Sequence, residues 1–317
     1  MKELKSFFAP QILEYAEYRK ALKFSDAHFH FLKYFDDFCD SHFPEESLIT
    51  PNLIKLWFND EMKKRPGCLR EAYFSINGFL KYYHMNDCIL SSVYLQRKCH
   101  PLIPYILSEE ELNSFFLALN SARWNDPLSG FCIGTMIRLI YSSGMRPNET
   151  RNLKTQNVNL QTGEILIENT KRHKERVIFV SKDMQELLIE YNSKRCFFVP
   201  KSKYFFVRSD EKMITQAFLW RSVERCWKKA MKHKSEIPFI SPYTFRHQFA
   251  STVLMKWLDD GKDLFAMLPY LKAYMGHSQY SSTVYYIHML PKRLLESKSI
   301  DWEGLDRIGK EPDIWDN

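Results

Sequence analysis

The sequence predicts a mainly α-helical protein of two domains, the second carrying a small antiparallel β-sheet. Three observations lead there: apolar residues at helical spacing along most of the chain, a break in that pattern at residues 99–107, and two alternating runs at 164–170 and 175–180. In the first domain, residues 1–98, Phe31, Leu32, Phe35 and Phe38 recur at helical spacing. Thr50-Pro51 then supplies an N-cap residue with proline at the first helical position, leading into NLIKLWFNDEM. CLREAYFSINGFLKYY repeats the helical pattern, so this domain reads as a helical unit with an aromatic core.

The segment CHPLIPYIL, 99–107, has two prolines, no period and no run of charge, and reads as an extended linker. The second domain, 108–317, opens with Ser108 and Glu111 placed as a capping box ahead of LNSFFLAL. LSGFCIGTMIRLIY, 128–141, continues as an apolar helix that Ser142, Ser143 and Gly144 stop. The runs EILIENT and ERVIFV are joined by KRHK, a hairpin whose tip is entirely basic or titratable, and helical patterns return after residue 183.

Composition narrows the class. No run of eighteen apolar residues occurs, and MKELKSFFAPQ lacks an apolar signal core, so the expected location is the cytoplasm with no membrane partner. Seven scattered cysteines without a CxxC pair argue for reduced thiols and against a disulfide frame or a zinc site. The net charge of +7 is concentrated: residues 171–234 hold 17 Lys or Arg against 7 Asp or Glu, while residues 1–100 come to about +1. Such a stretch suits a polyanionic partner, although a solvated basic surface has the same composition.

Four islands in the second domain could carry chemistry: GMRPNETRNL with Arg146 and Glu149, TKRHKERV with Lys171, SPYTFRHQFAST with Arg246 and His247, and GHSQYSSTVYYIH with His277 and Tyr286. Each alone is ordinary, since an arginine after a turn is usually a surface group and a lone histidine usually structural. Together, in this order, they resemble the tyrosine recombinase (integrase) family. Gly144, Met145, Arg146, Glu149 and Leu153 match its arginine island, and Thr170, Lys171, Lys174, Glu175 and Arg176 match its hairpin lysine motif. Tyr243, Arg246, His247, Phe249 and Ala250 fall on its H-x-x-R-H-x-F-A pattern, and Gly276, His277, Ser278, Tyr286 and His288 on its last one. The resemblance covers roughly residues 108–290.

That resemblance implies a C-shaped two-domain DNA clamp with a helical core-binding domain and a catalytic domain. It also implies a site-specific recombinase that cleaves and rejoins duplex DNA through a 3′-phosphotyrosine intermediate, exchanging strands via a Holliday junction. Tyr286 is the implied nucleophile, with Arg146 and Arg246 on the phosphate oxygens, His277 hydrogen-bonding the scissile phosphate, and Lys171 giving a proton to the departing 5′-oxygen. Lys174 is the local rival of Lys171. Glu149 and His247 stand behind these groups as supports, and Arg172, Lys174 and Arg176 are expected to contact DNA. The implied partners are recombination sites and a homotetramer, with partner recombinases as a variation, in a nucleoid-associated cytoplasmic protein.

One departure matters. Tyr243 stands where the family most often has histidine, and a phenol of pKa about 10 is a poor base at neutral pH, so it is expected to donate a hydrogen bond to a phosphate oxygen. It also leaves open a DNA-binding relative with impaired catalysis, and a type IB topoisomerase shares the tyrosine chemistry. No cofactor or metal is expected: tyrosine keeps the bond energy in a covalent link, no GxxxxGK[ST] loop is present to bind ATP, and guanidinium and ammonium groups supply the charge. The acidic-aromatic end EPDIWDN reads equally as a docking tail or a loose terminus. Of the adjacent pair Tyr285 and Tyr286, helical geometry turns successive side chains about 100° apart, so only one can face the phosphate.

Overall fold

The computed structural model describes residues 4–22, 24, 29–62, 64–65, 68–91, 104–168, 175–277, 280, 283 and 286. The chain separates into two compact units, Met1–Leu102 and Ile103–Asn317.

The first unit is helical: α1 (Ala9–Ala21), α2 (Phe29–His42), α3 (Pro51–Leu56), which runs on into a π-helical turn over Trp57–Met62, and α4 (Leu69–Tyr82). Thr50 caps α3 by accepting from the Leu53 N–H at 3.3 Å, with Pro51 at the first helical position, where its missing N–H costs nothing. The helical stripe of α2 buries Phe31, Leu32, Phe35 and Phe38, and Phe35 meets Trp57 edge to face at 5.5 Å. This aromatic stripe is core.

The second unit is mainly α with one three-stranded sheet. Its helices are α5 (Glu109–Asn120), α6 (Ser129–Ser143), α7 (Pro147–Arg151), α8 (Lys182–Phe198), α9 (Gln216–Ala230), α10 (Pro242–Asp259) and α11 (Leu264–Met275). The strands β1 (Val158–Asn159), β2 (Glu164–Ile167) and β3 (Arg176–Phe179) pair antiparallel in the order β1-β2-β3, with Ile167 opposite Arg176. They are shorter than the alternating runs in the sequence, and the basic tip KRHK, 171–174, lies outside the described residues. Ser108 and Glu111 form the expected capping box on α5. Alternation puts Ile165, Ile167 and Ile178 on the buried face of the sheet.

Helix α6 is the hub of this unit. Cys132, Ile133, Met136, Ile137, Leu139 and Ile140 are all fully buried, so the helix is covered on nearly every side, chiefly by α10, α8 and α5. Among the described residues no helix is long and apolar enough to cross a membrane.

Gly144 ends α6 in the left-handed conformation at φ 64°, and a Cβ there would run into the Phe249 ring of α10. Gly144→Ala therefore incurs both backbone strain and a clash. It should lower the stability of the second unit by about 1–3 kcal/mol, read as an earlier urea midpoint at unchanged slope. A midpoint equal to that of the parent protein contradicts this account.

Candidate active site

Two glycine-ended helices bring the site together. At the end of α6, the left-handed Gly144 turns the chain so that Met145 buries and Arg146 becomes the residue capping α7, with Pro147 next. At the end of α11, Gly276 is left-handed in the same way at φ 64°, and its absent Cβ leaves room for the guanidinium groups of Arg176 and Arg146. The last carbonyls of a helix lack intrahelical partners and carry partial negative charge. Here arginines satisfy them.

Arg246, on the second turn of α10, is 2% exposed. Its Nη1 donates to Gly144 O at 2.5 Å, and its Nη2 to Met275 O at 2.9 Å and to His277 Nε2 at 2.7 Å. Burial lowers its pKa to about 10, so it remains charged at neutral pH. Arg146 Nη2 donates to Gly276 O at 2.5 Å. Arg246 thus bridges the two helix ends, and Arg146 is anchored to the end of α11.

His277 follows Gly276 directly. Because a guanidinium can only donate, Nε2 of His277 must accept from Arg246, and the ring proton sits on Nδ1, which donates to Thr283 Oγ1 at 2.8 Å. Burial, then the charges of Arg246, Arg146 and Arg176, push its pKa down to about 3. His247 is lowered to about 4 by burial and by Arg246, and its Nδ1 is buried with no partner among the described residues.

Tyr286 is 3% exposed and packs into the apolar cluster of Leu254, Leu268 and Met275. Its ring lies parallel to that of His277 with centroids 5.8 Å apart, and 5.5 Å from that of His247. Burial raises its pKa, opposed by the charge and hydrogen bond of Arg246 and by the charge of Arg146. The hydroxyl is therefore protonated at rest and already in contact with the buried arginine. Tyr243 sits in the first turn of α10, half-buried, on the wall of an open groove of about 730 Å³ that passes Arg146, Lys154, Lys203 and Tyr204.

Glu149 lies beneath Arg146. Its carboxylate accepts from the Arg146 backbone N–H at 2.8 Å and Nη1 at 2.7 Å, and from Arg176 Nη1 at 3.0 Å and Nη2 at 2.7 Å. Burial alone pushes its carboxyl up, but the Arg176 hydrogen bonds and charge, with those of Arg146, bring it down to about 2.

Of the residues singled out in the sequence, Arg146, Glu149, Arg176, Arg246, His247, His277 and Tyr286 share this site, and Tyr243 borders it. Lys171, Arg172, Lys174, Tyr285 and His288 lie outside the described residues. Arg176 differs from expectation. Instead of facing outward toward DNA, its side chain is 12% exposed and clasps Glu149, because a buried carboxylate needs a second cation that Arg146 alone does not supply. Sequence reasoning also missed Thr283, which fixes the His277 ring, and the three carbonyls that seat the arginines. None carries a sequence signal, since each depends on how the helix ends meet.

Fold and geometry define a class: a mainly α protein with a small sheet that gathers guanidinium donors and neutral imidazoles around one tyrosine hydroxyl, chemistry suited to an anionic ester. The pattern of the phage integrase family matches residues 106–293, more than half of the chain, and the chain belongs to that family. It is 33% identical over 186 residues to a putative integrase/recombinase, y4rE, of Sinorhizobium fredii, a match spanning 58% of this chain and 59% of that relative. It is 26% identical over 238 residues to a tyrosine recombinase of Agathobacter rectalis, covering 72% of this chain and 74% of the other. Its fold is like that of the XerH site-specific recombinase in a post-cleavage complex with a palindromic difH substrate, at TM-score 0.62 and 21% identity, covering 87% of this chain and 79% of that one.

The two imidazoles make stability depend on pH. Both are held neutral in the fold, at about 3 and about 4, whereas an unfolded histidine titrates near 6.5. Below that value the unfolded chain binds protons the native chain does not, so their contribution is complete above pH ~6.5 and is lost as pH falls. Each histidine should remove up to ~1.4 kcal/mol per pH unit in that window. Thermal melts from pH 7.5 to 5 should show a falling Tm, and His247→Gln should flatten the slope; an equal slope in the variant counts against the assignment.

Proposed function

We propose that this protein is a site-specific DNA recombinase that cleaves a phosphodiester with Tyr286, holds the 3′-phosphate covalently, and exchanges strands through a Holliday junction during integration, excision or transposition of a mobile element. The observation that carries the reading is the buried Tyr286 hydroxyl in contact with Arg246, between His277 and His247 and beside Arg146.

Attack of the phenolic oxygen on phosphorus forms the P–O(Tyr) bond and breaks the P–O5′ bond, and the phenolic proton passes to Nε2 of His277, which is neutral at rest. Negative charge grows on the non-bridging oxygens, where Arg146 and Arg246 supply fixed donors; removing one such donor typically costs about 100–1000-fold in rate. His277 contributes a further hydrogen bond to the phosphate. Lys171 delivers a proton to the departing 5′-oxygen, with Lys174 as its rival for that task. Tyr243, on the groove beside Arg146, donates to a phosphate oxygen. The groove, with Lys154 and Lys203 on its wall, is the path proposed for the DNA backbone, and binding there should weaken steeply with salt. The working form proposed is a homotetramer on two DNA sites, alone or with partner recombinases, in the cytoplasm.

Tyr243 supports a second reading, a DNA-binding relative with impaired catalysis, because the family's usual histidine is absent there. A suicide oligonucleotide carrying a nick in the recombination site separates the two. The parent protein should form a 3′-phosphotyrosyl adduct, Tyr286→Phe should abolish it, and Tyr285→Phe should leave it within about threefold. Binding without any adduct overturns the cleavage reading. Junctions formed between two sites indicate a recombinase, whereas relaxation of a single plasmid without junctions indicates a topoisomerase.

A further inference from the structure

Arg176 is the first residue of β3, the strand that leaves the hairpin tip. A carboxylate offers about four lone-pair sites. All four of Glu149's are occupied: two by Arg146, through its backbone N–H and Nη1, and two by Arg176 in a forked pair at 2.7 and 3.0 Å. Both side chains are shielded, Glu149 at 8% exposure and Arg176 at 12%, so the pair is weakly screened. Arg176 Nη1 also lies against Gly276, where a Cβ would approach it to 2.7 Å.

The charge balance follows. Arg146, Arg176 and Arg246 carry three positive charges around the single carboxylate of Glu149, leaving two for an incoming phosphate. Without Arg176 the balance falls to one, and two sites on the carboxylate open. Arg146 is the nearest donor. It would turn toward Glu149, away from the phosphate.

We propose that Arg176 is a positioning residue of the phosphate site: it neutralises Glu149 so that the Arg146 guanidinium keeps its charge and its outward donors for the scissile phosphate. This rests on the cleavage reading above. It assigns Arg176 no contact with DNA and makes the strand that follows the hairpin part of the machinery that aims Arg146.

The test measures single-turnover adduct formation on the nicked suicide substrate at saturating protein, together with the salt dependence of binding. Arg176→Gln should slow adduct formation about tenfold to a hundredfold, less than loss of a direct donor, with the slope of log K against log salt unchanged. Arg176→Lys keeps the charge and should recover most of the rate, and it remains informative where Arg176→Gln folds poorly. The diagnostic variant is Arg176→Gln with Glu149→Gln. A glutamine at 149 can still accept from the Arg146 N–H as a helix-capping residue does, so removing the unbalanced anion should make the double variant faster than Arg176→Gln alone. A merely structural role predicts the reverse. Arg176→Gln cleaving at the parental rate, or a double variant no faster than the single, overturns the inference. A salt slope reduced by about one with cleavage otherwise intact means a phosphate contact and also overturns it. Failure of the parent protein itself to form an adduct overturns the cleavage reading and this inference with it, so the two failures are distinguishable.

Discussion

The second unit turns on one buried guanidinium. Arg246 joins the ends of α6 and α11 by donating to Gly144 O and Met275 O, and it holds His277 and the Tyr286 hydroxyl on its remaining N–H groups. Taking a cation out of water is expensive, and the cost is offset only when its donors are satisfied; removing one partner of such an arrangement typically costs about 3–5 kcal/mol. Four independent partners are met by five donors in a rigid plane, a geometry that lysine cannot reproduce. Stability and site geometry are therefore tied at this residue, because the bonds that stabilise the meeting of two helices also set the surroundings of the Tyr286 hydroxyl.

The same logic explains why glycine ends both helices. A left-handed residue exposes the last carbonyls of α6 and α11 to the space between them and removes the Cβ that would fill it. Arginine fills that space at Gly276, and the Phe249 ring fills it at Gly144. The partial negative charge of the helix ends and the full charge of Glu149 hold three guanidinium groups close together despite their mutual repulsion. The result is a concentrated positive site with little freedom to reorganise, which is what stabilising a transition state requires.

Much of this was legible in the sequence, because it is encoded locally. Thr50-Pro51, the Ser108–Glu111 box and the Gly144 stop each specify a helix boundary through the residue's own backbone and side-chain chemistry, and each forms as expected. The site residues Arg146, Arg246, His277 and Tyr286 were found through family resemblance, since periodicity alone gives an arginine after a turn no role. Arg176 shows where such reading stops. A basic residue near a basic hairpin looks solvent-facing, and only the three-dimensional approach of β3 to α7 reveals that a buried carboxylate claims it. Thr283 and the capping carbonyls were illegible for the same reason, as their roles lie in contacts between distant segments.

The proton inventory gives the resting site a direction. Tyr286 is protonated because burial raises it, while His277 is neutral and accepts from Arg246. A phosphate oxygen is a stronger acceptor for Arg246 than a neutral imidazole. On the cleavage reading, arrival of the diester draws one Arg246 N–H toward phosphate, releases Nε2 of His277 from its donor, and places an anion beside a ring that burial and then three arginine charges had kept unprotonated. Each change raises the affinity of that ring for a proton. His277 can then take the Tyr286 proton and donate it as a hydrogen bond to the phosphate, while the Arg246 contact that favours the ionised Tyr286 oxygen stays in place. On that reading substrate binding and activation of the nucleophile share one cause, the exchange of a single Arg246 N–H from His277 to the phosphate while its bonds to Gly144 O and Met275 O persist. Tyr243 need not act as a base in this arrangement; from the groove wall it has only to donate a hydrogen bond.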